Sequence, residues 1–171
     1  MATDTPTTGN QDAEIARLIG TFGDKNGRGV HDARQQLIDM GDAAVPQLVH
    51  ALSDQSTQVR WEAAKTLTDL RSPAAAPALA ATLRDDDGGV RWLAADALAA
   101  LGRDGLRPTL DTLVAHSQSP VVREGVHHVL ATVAKDKQLA PVLNPIIAGL
   151  DGQAPQVACL EPAEAALRTL S

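Results

Sequence analysis

Apolar residues recur along this chain at helical spacing, and the recurrence itself repeats. Val59, Ala63, Leu67 and Leu70 fall at i, i+4, i+8 and i+11, and Val90, Ala94, Leu98 and Leu101 restate the stripe 31 residues later. Such a stripe predicts a helix with one buried face. Ahead of each stripe stands a shorter run, "AAVPQLVHALSD" and then "AAAPALAATLRD", in which Pro46 and Pro77, Leu48 and Leu79, and Leu52 and Leu83 keep the same step. Proline near a helix start loses no hydrogen bond, so Pro-x-Leu-x-x-x-Leu predicts a first helix and the Val-Ala-Leu stripe a second. The polar turns "SDQST" and "RDDDGG" separate the two.

The period extends both ways. "GLRPTLDTLVAHS" places Pro108 and Leu110 one step on, "SPVVREGVHHVLATV" supplies Val122 and Arg123, and "VHDARQQLIDMG" aligns Leu37 with Leu67. Self-similarity at this length predicts an α-solenoid, in which each unit buries its apolar face by stacking on its neighbours. Five helix pairs are expected, two of them imperfect: about 12–41, 42–71, 72–102, 103–136 and 137–171, behind a flexible tail at 1–11. In the first pair Gly29 and Arg34 occupy the expected Val and Ala positions. In the last, Pro141, Pro145 and Pro162 are expected to break the segment into shorter helices, as in a terminal cap.

The pattern Pro-x-Leu…Asp…Val-Arg-x-x-Ala-Ala-x-x-Leu resembles the HEAT-like repeats, especially the bacterial type named after phycobilisome lyases. The resemblance is strongest from about Val45 to Leu101 and is clear to about Val133. It implies an all-α, right-handed solenoid of antiparallel helix pairs whose second helices line a concave face.

"Val-Arg-Trp" opens the second helix twice. With Val59 at zero on a helical wheel, the core stripe centres near 40° and Trp61 falls at about 200°, away from the core; Trp92 does the same one unit later. The family geometry therefore implies two tryptophans side by side on the concave face, ~10 Å apart by helix-packing distance. The alternative is that they fill the groove between second helices and pack on each other. Equivalent positions are His31 and Glu124, with Lys65, Asp96 and His128 among the residues one turn on. Together Trp61, Trp92, Lys65, Asp96, Glu124, His128 and His31 form the expected partner-binding set.

The arginines recur as well. Arg60, Arg91 and Arg123 follow each valine, and Asp54 and Asp85 sit in the preceding turns. This period predicts a structural ladder of inter-repeat hydrogen bonds, with the aspartates also able to cap second helices. Asp85, Asp86 and Asp87 make a turn and helix start, lacking the spaced oxygen ligands of a calcium loop. His127 and His128 are adjacent and therefore diverge by about 100°. No His-Glu dipeptide of the HEAT-like hydroxylase type occurs, and no metal site, catalytic residue or cofactor is expected.

Composition narrows the function classes. One Phe and no Tyr, with abundant Ala, fit close-packed helices better than a sheet. A net charge of −6 and a single cysteine argue against a nucleic-acid partner and against disulfide or multi-cysteine zinc chemistry. No apolar run is long enough to span a bilayer, and the polar start lacks a signal-peptide pattern, so a cytoplasmic protein is expected. The leading expectation is a non-catalytic interaction scaffold holding a protein partner. The phycobilisome-lyase resemblance implies an alternative, a phycobilin lyase or pigment-protein chaperone in which stacked indoles receive a flat tetrapyrrole. A third reading follows the HEAT-like alkylpurine DNA glycosylases, with Trp92 and Asp96 against a damaged base; it lacks the basic track that DNA binding requires.

Overall fold

The computed structural model describes residues 8–24 and 26–170. Among them the chain is helical and contains no strand. The helices are α1 (Thr8–Gly20), α2 (Val30–Asp39), α3 (Val45–Ala51), α4 (Thr57–Leu70), α5 (Ala76–Thr82), α6 (Gly88–Ala100), α7 (Arg103–His116), α8 (Pro120–Val133), α9 (Ala140–Asp151), α10 (Pro155–Ala158) and α11 (Leu160–Thr169). None is long and apolar enough to cross a membrane. The expected tail at 1–11 is shortened by α1, which starts at Thr8; its earlier part lies outside the described residues.

Successive pairs stack. The second helices run as a layer in which α4 packs on α2, α6 on α4 and α8 on α6, while α3 packs on α1 and α7 on α5 in the first-helix layer. The alternating stripes meet between the layers. Leu37, Leu67 and Leu98 on the second helices and Leu48, Leu79, Leu83 and Leu110 on the first are buried, together with Ala63, Ala64, Ala94 and Ala95. Small alanines on the facing surfaces permit the close stacking. The result is an all-α solenoid of paired helices.

Of the three prolines in common register, two open their helices and one does not. Pro46 and Pro77 stand in the first turns of α3 and α5, as expected. Pro108 lies inside α7, because the stretch that forms a separate 3₁₀ turn ahead of α3 and α5 continues as α-helix in this unit, from Arg103. Pro145 likewise does not break its segment: α9 runs unbroken through it, and Pro141 occupies the first turn.

The last pair is turned over. α9 packs on α8, in the place where a second helix would follow, and α11 packs on α7, where a first helix would follow. This inversion needs a close crossing at Gly149. A Cβ there would stand 2.7 Å from the Ala158 carbonyl oxygen and 2.9 Å from the Cys159 Cα, so only glycine fits without backbone movement.

Candidate functional site

The second-helix layer carries the residues singled out from the sequence. Trp61 on α4 is 36% exposed and Trp92 on α6 is 55% exposed. Both lean across the groove towards the next repeat, and they do not pack on each other. The Trp61 indole lies on the backbone at Gly89, where an added Cβ would be 3.5 Å from its Cδ1 and Nε1. Trp92 packs against His128 of α8, ring centroids 4.3 Å apart and planes at 44°. The pair of stacked indoles considered for a flat ligand is therefore absent, because each ring finds a different neighbour.

Asp96, one turn after Trp92, fixes this arrangement. Its Oδ1 is 2.8 Å from Nε2 of His128, so the imidazole is held at one edge and covered on one face by the indole. The adjacent His127 turns the other way, Nε2 lying 3.1 Å from Oδ1 of Asp151 on α9. The two rings diverge to opposite neighbours. Among the described residues no group of three His, Cys, Asp or Glu converges as metal ligands would.

A notch of about 150 Å³ opens between α6 and α8 beside Trp92, lined by Gly88, Arg91, Ala95, Val121, Glu124 and Gly125. Glu124 and Val121 are exposed. Lys65 is half-buried on α4, one turn after Trp61. His31, on α2, is exposed and close to Arg34, with Nδ1 3.3 Å from its Nη2. The structure thus brings together Trp92, Asp96, Glu124 and His128 around one groove, with Trp61 and Lys65 on the next helix and His31 on the one beyond.

The arginines have a repeating role that the spacing only half reveals. Each donates to a carbonyl six residues back in its own turn: Arg60 to Asp54 at 3.0 Å, Arg91 to Asp85 at 2.8 Å and Arg123 to Ser117 at 2.6 Å. The guanidinium thereby satisfies carbonyls that the turn leaves unpaired. One rung crosses between units, from Arg60 to the carboxylate of Asp85. Asp54 and Asp85 do not cap second helices. Their Oδ1 atoms accept from the amides of Ser56 and Asp87, two residues on, and close the turns; the caps are Asp87 on α6 and Ser119 on α8. The turn of Asp54 has no such rung, because the preceding unit carries Val30 where Arg60 stands.

Sequence reasoning missed three features. Val121, 37% exposed, forms a wall of the notch; a valine preceding the repeat valine gave no signal. Glu62, on the core side of α4, is 5% exposed and accepts from Nη1 of Arg34 at 2.8 Å. Its signal was available: Arg34 replaces the small residue of the later units, and Glu62 stands where Leu93 stands one unit on. The His127–Asp151 contact depends on the inverted last pair, which no local pattern specifies.

Comparison with known proteins follows the same lines. A model of HEAT repeats matches residues 11–91 and 45–131. Among solved structures, the complex of CpcE and CpcF of phycocyanin lyase from Nostoc sp. PCC7120 contains a chain that superposes with a TM-score of 0.64 at 25% identity, covering 91% of this chain and 98% of that one. A designed armadillo repeat protein in complex with the peptide (KR)4 gives a TM-score of 0.43 at 16% identity, covering 92% and 87%. A search of curated proteins finds no significant match.

Proposed function

The chain belongs to the HEAT repeat family, and from that premise we propose that it is a protein-docking scaffold whose partner lies across the second-helix layer. One observation carries the reading. Of the four large apolar side chains exposed among the described residues, Trp61, Trp92 and Val121 all lie on this layer. Apolar side chains scattered singly need no explanation, but three along one rigid face mark an interaction surface. The indole of Trp92 is already held by His128, so little side-chain freedom is lost when a partner covers it. Lys65, Glu124 and His31 supply a mixed polar rim that sets orientation more than affinity.

The test is site-specific photo-crosslinking in an extract of the source organism. A crosslinking residue replacing Lys65, on the second-helix layer, is expected to trap a discrete protein. The same residue replacing Ala81, exposed on α5, is expected not to. Equal trapping from both positions contradicts the reading.

A second reading is supported by the phycocyanin-lyase likeness, which extends over nearly the whole of both chains: handling of a bilin or of the protein that carries it. Here a flat tetrapyrrole would lie on the open face of Trp92 alone. Mixing the protein with bilin should then shift the pigment's absorbance and quench the Trp92 emission; unchanged spectra dispose of this reading and leave the docking scaffold standing.

A further inference from the structure

Equivalent tryptophans in consecutive repeats meet different neighbours. Trp61 lies down on Gly89 at the start of α6, where no side chain stands in its way. One unit later the residue in the place of Gly89 is Val121, just as Val122 takes the place of Val90. The valine side chain occupies the ground on which the second indole would lie. Trp92 is instead seated on His128, two helical turns further along α8, and His128 is anchored by Asp96 at 2.8 Å. The space that Trp61 fills in one repeat is thereby left open in the next, as the notch of about 150 Å³ between Trp92 and Val121.

The chemistry of the notch is uneven. Trp92, Val121, Ala95, Gly88 and Gly125 give it apolar walls, and its volume accommodates a group about the size of benzene. Two charges stand at its rim. Arg91 is committed to its own turn, donating to the carbonyls of Asp85 and Asp86 at 2.8 and 3.1 Å. Glu124 is exposed and makes no hydrogen bond or ion pair among the described residues. Of the two charges, Arg91 is thus fixed in place and Glu124 is the one free to turn to a partner, on a chain whose net charge is −6.

Resting on the docking reading above, we propose that this notch is the anchor socket for one apolar side chain, no larger than phenylalanine, on a partner protein segment, and that Glu124 selects a lysine or arginine beside it. The apolar side chain displaces water from the notch and packs on Trp92. The neighbouring cation meets the unpaired carboxylate, and a long basic side chain also reaches the open face of the indole. Asp96 and His128 act as positioning residues, since they keep Trp92 off the notch.

The experiment is selection of twelve-residue peptides displayed on phage against the immobilised full chain, followed by titration of the best synthetic peptide. Val121→Glu places a charge in the socket wall, Glu124→Lys reverses the rim, and both positions are exposed, so thermal unfolding should match wild type. Enriched peptides are expected to pair an apolar residue with a Lys or Arg within one helical turn. Their affinity should fall about tenfold or more in Val121→Glu and about fivefold in Glu124→Lys. Peptides that bind both variants normally, or that carry acidic residues where basic ones are expected, overturn the socket. If those peptides still fail to bind the Trp61→Ala, Trp92→Ala chain, the docking surface survives without it. A selection yielding no peptide that depends on the tryptophans overturns both.

Discussion

Arg60 on α4 grips Asp85, in the turn of the following unit, by two hydrogen bonds: Nε to Oδ2 at 2.7 Å and Nη2 to Oδ1 at 2.9 Å. Both side chains are about nine-tenths shielded, and the same guanidinium holds the Asp54 carbonyl of its own turn. Burial works against the Asp85 charge, but the bonds from Arg60 and from the Asp87 amide outweigh it and hold the carboxyl below the usual carboxylate range. The Asp85 bond in turn raises the Arg60 guanidinium further above its ordinary range.

Removing Arg60 leaves the Asp85 charge shielded and unpaired, whereas removing Asp85 leaves Arg60 paired with the exposed Asp86, whose Oδ1 lies 2.6 Å from Nη2. Arg60→Gln should cost about 2–4 kcal/mol in denaturant unfolding, and Asp85→Asn less, since Asp86 still pairs with Arg60. Because the folded pKa of Asp85 is depressed, its contribution is complete above the ordinary carboxylate range. It is lost as pH falls through the depressed value, from about pH 4 downward. Stability measured against pH should therefore fall less steeply below that point in Asp85→Asn than in wild type; parallel curves would mean that the pair does not couple folding to protons.

Arg34 and Glu62 form the corresponding cross-helix contact at the first repeat boundary, 2.8 Å apart with Glu62 nearly buried. Arg34→Ala alone should destabilise by about 2 kcal/mol or more, since the carboxylate is stranded. Arg34→Ala with Glu62→Leu restores the residues that Ala64 and Leu93 provide one unit later, and the double variant should recover most of the loss. A double variant as unstable as the single one would show that the first boundary is not interchangeable with the second.

Gly149 and Gly125 separate a backbone constraint from a soft one. An added methyl at 149 meets the Ala158 carbonyl at 2.7 Å, whereas at 125 it meets the end of the Leu83 side chain at 3.0 Å, which can turn aside. Gly149→Ala is expected to cost about 1–3 kcal/mol and to loosen α11, with faster amide exchange there; Gly125→Ala should stay within about 1 kcal/mol of wild type. The opposite order would contradict the crossing of α9 over the α10–α11 connection.

Cys159 lies buried in that crossing, and burial pushes its thiol above the usual range, offset in part by a backbone hydrogen bond and the Arg123 charge. A low thiolate fraction and no access together predict slow reaction with a disulfide reagent in the native state and immediate reaction in denaturant. Rapid native labelling would mean that the last pair opens readily.

The array itself was legible because its determinants are local and repeated. Val59, Val90 and Val122, with Leu67, Leu98 and Leu130 two turns beyond, mark the same buried stripe three times, and Pro46 and Pro77 mark helix starts. What escaped depends on neighbours across repeats. Nothing in "VRW" says which way an indole turns; that is decided by Gly89 in one unit and by Val121 with His128 in the next. The recurring Arg and Asp residues promised a ladder of identical rungs, yet Val30 stands in place of the arginine before Asp54 and Ser117 in place of the aspartate after Arg91, so only Asp85 receives an arginine from the preceding unit. Pro145 reads as a helix break by local preference, but α9 is held against α8 and continues through it. The inversion of α9 and α11 is set by their packing on α8 and α7, which no local pattern specifies.

The central claim is that the second-helix layer docks a protein through Trp61 and Trp92. The most direct measurement is the affinity of the photo-crosslinked partner, once purified, for wild type and for the Trp61→Ala, Trp92→Ala chain, with thermal unfolding recorded for both. The account predicts a loss of about thirtyfold or more, as expected for interface tryptophans, with little change in unfolding temperature. An unchanged affinity in a folded double variant would contradict it.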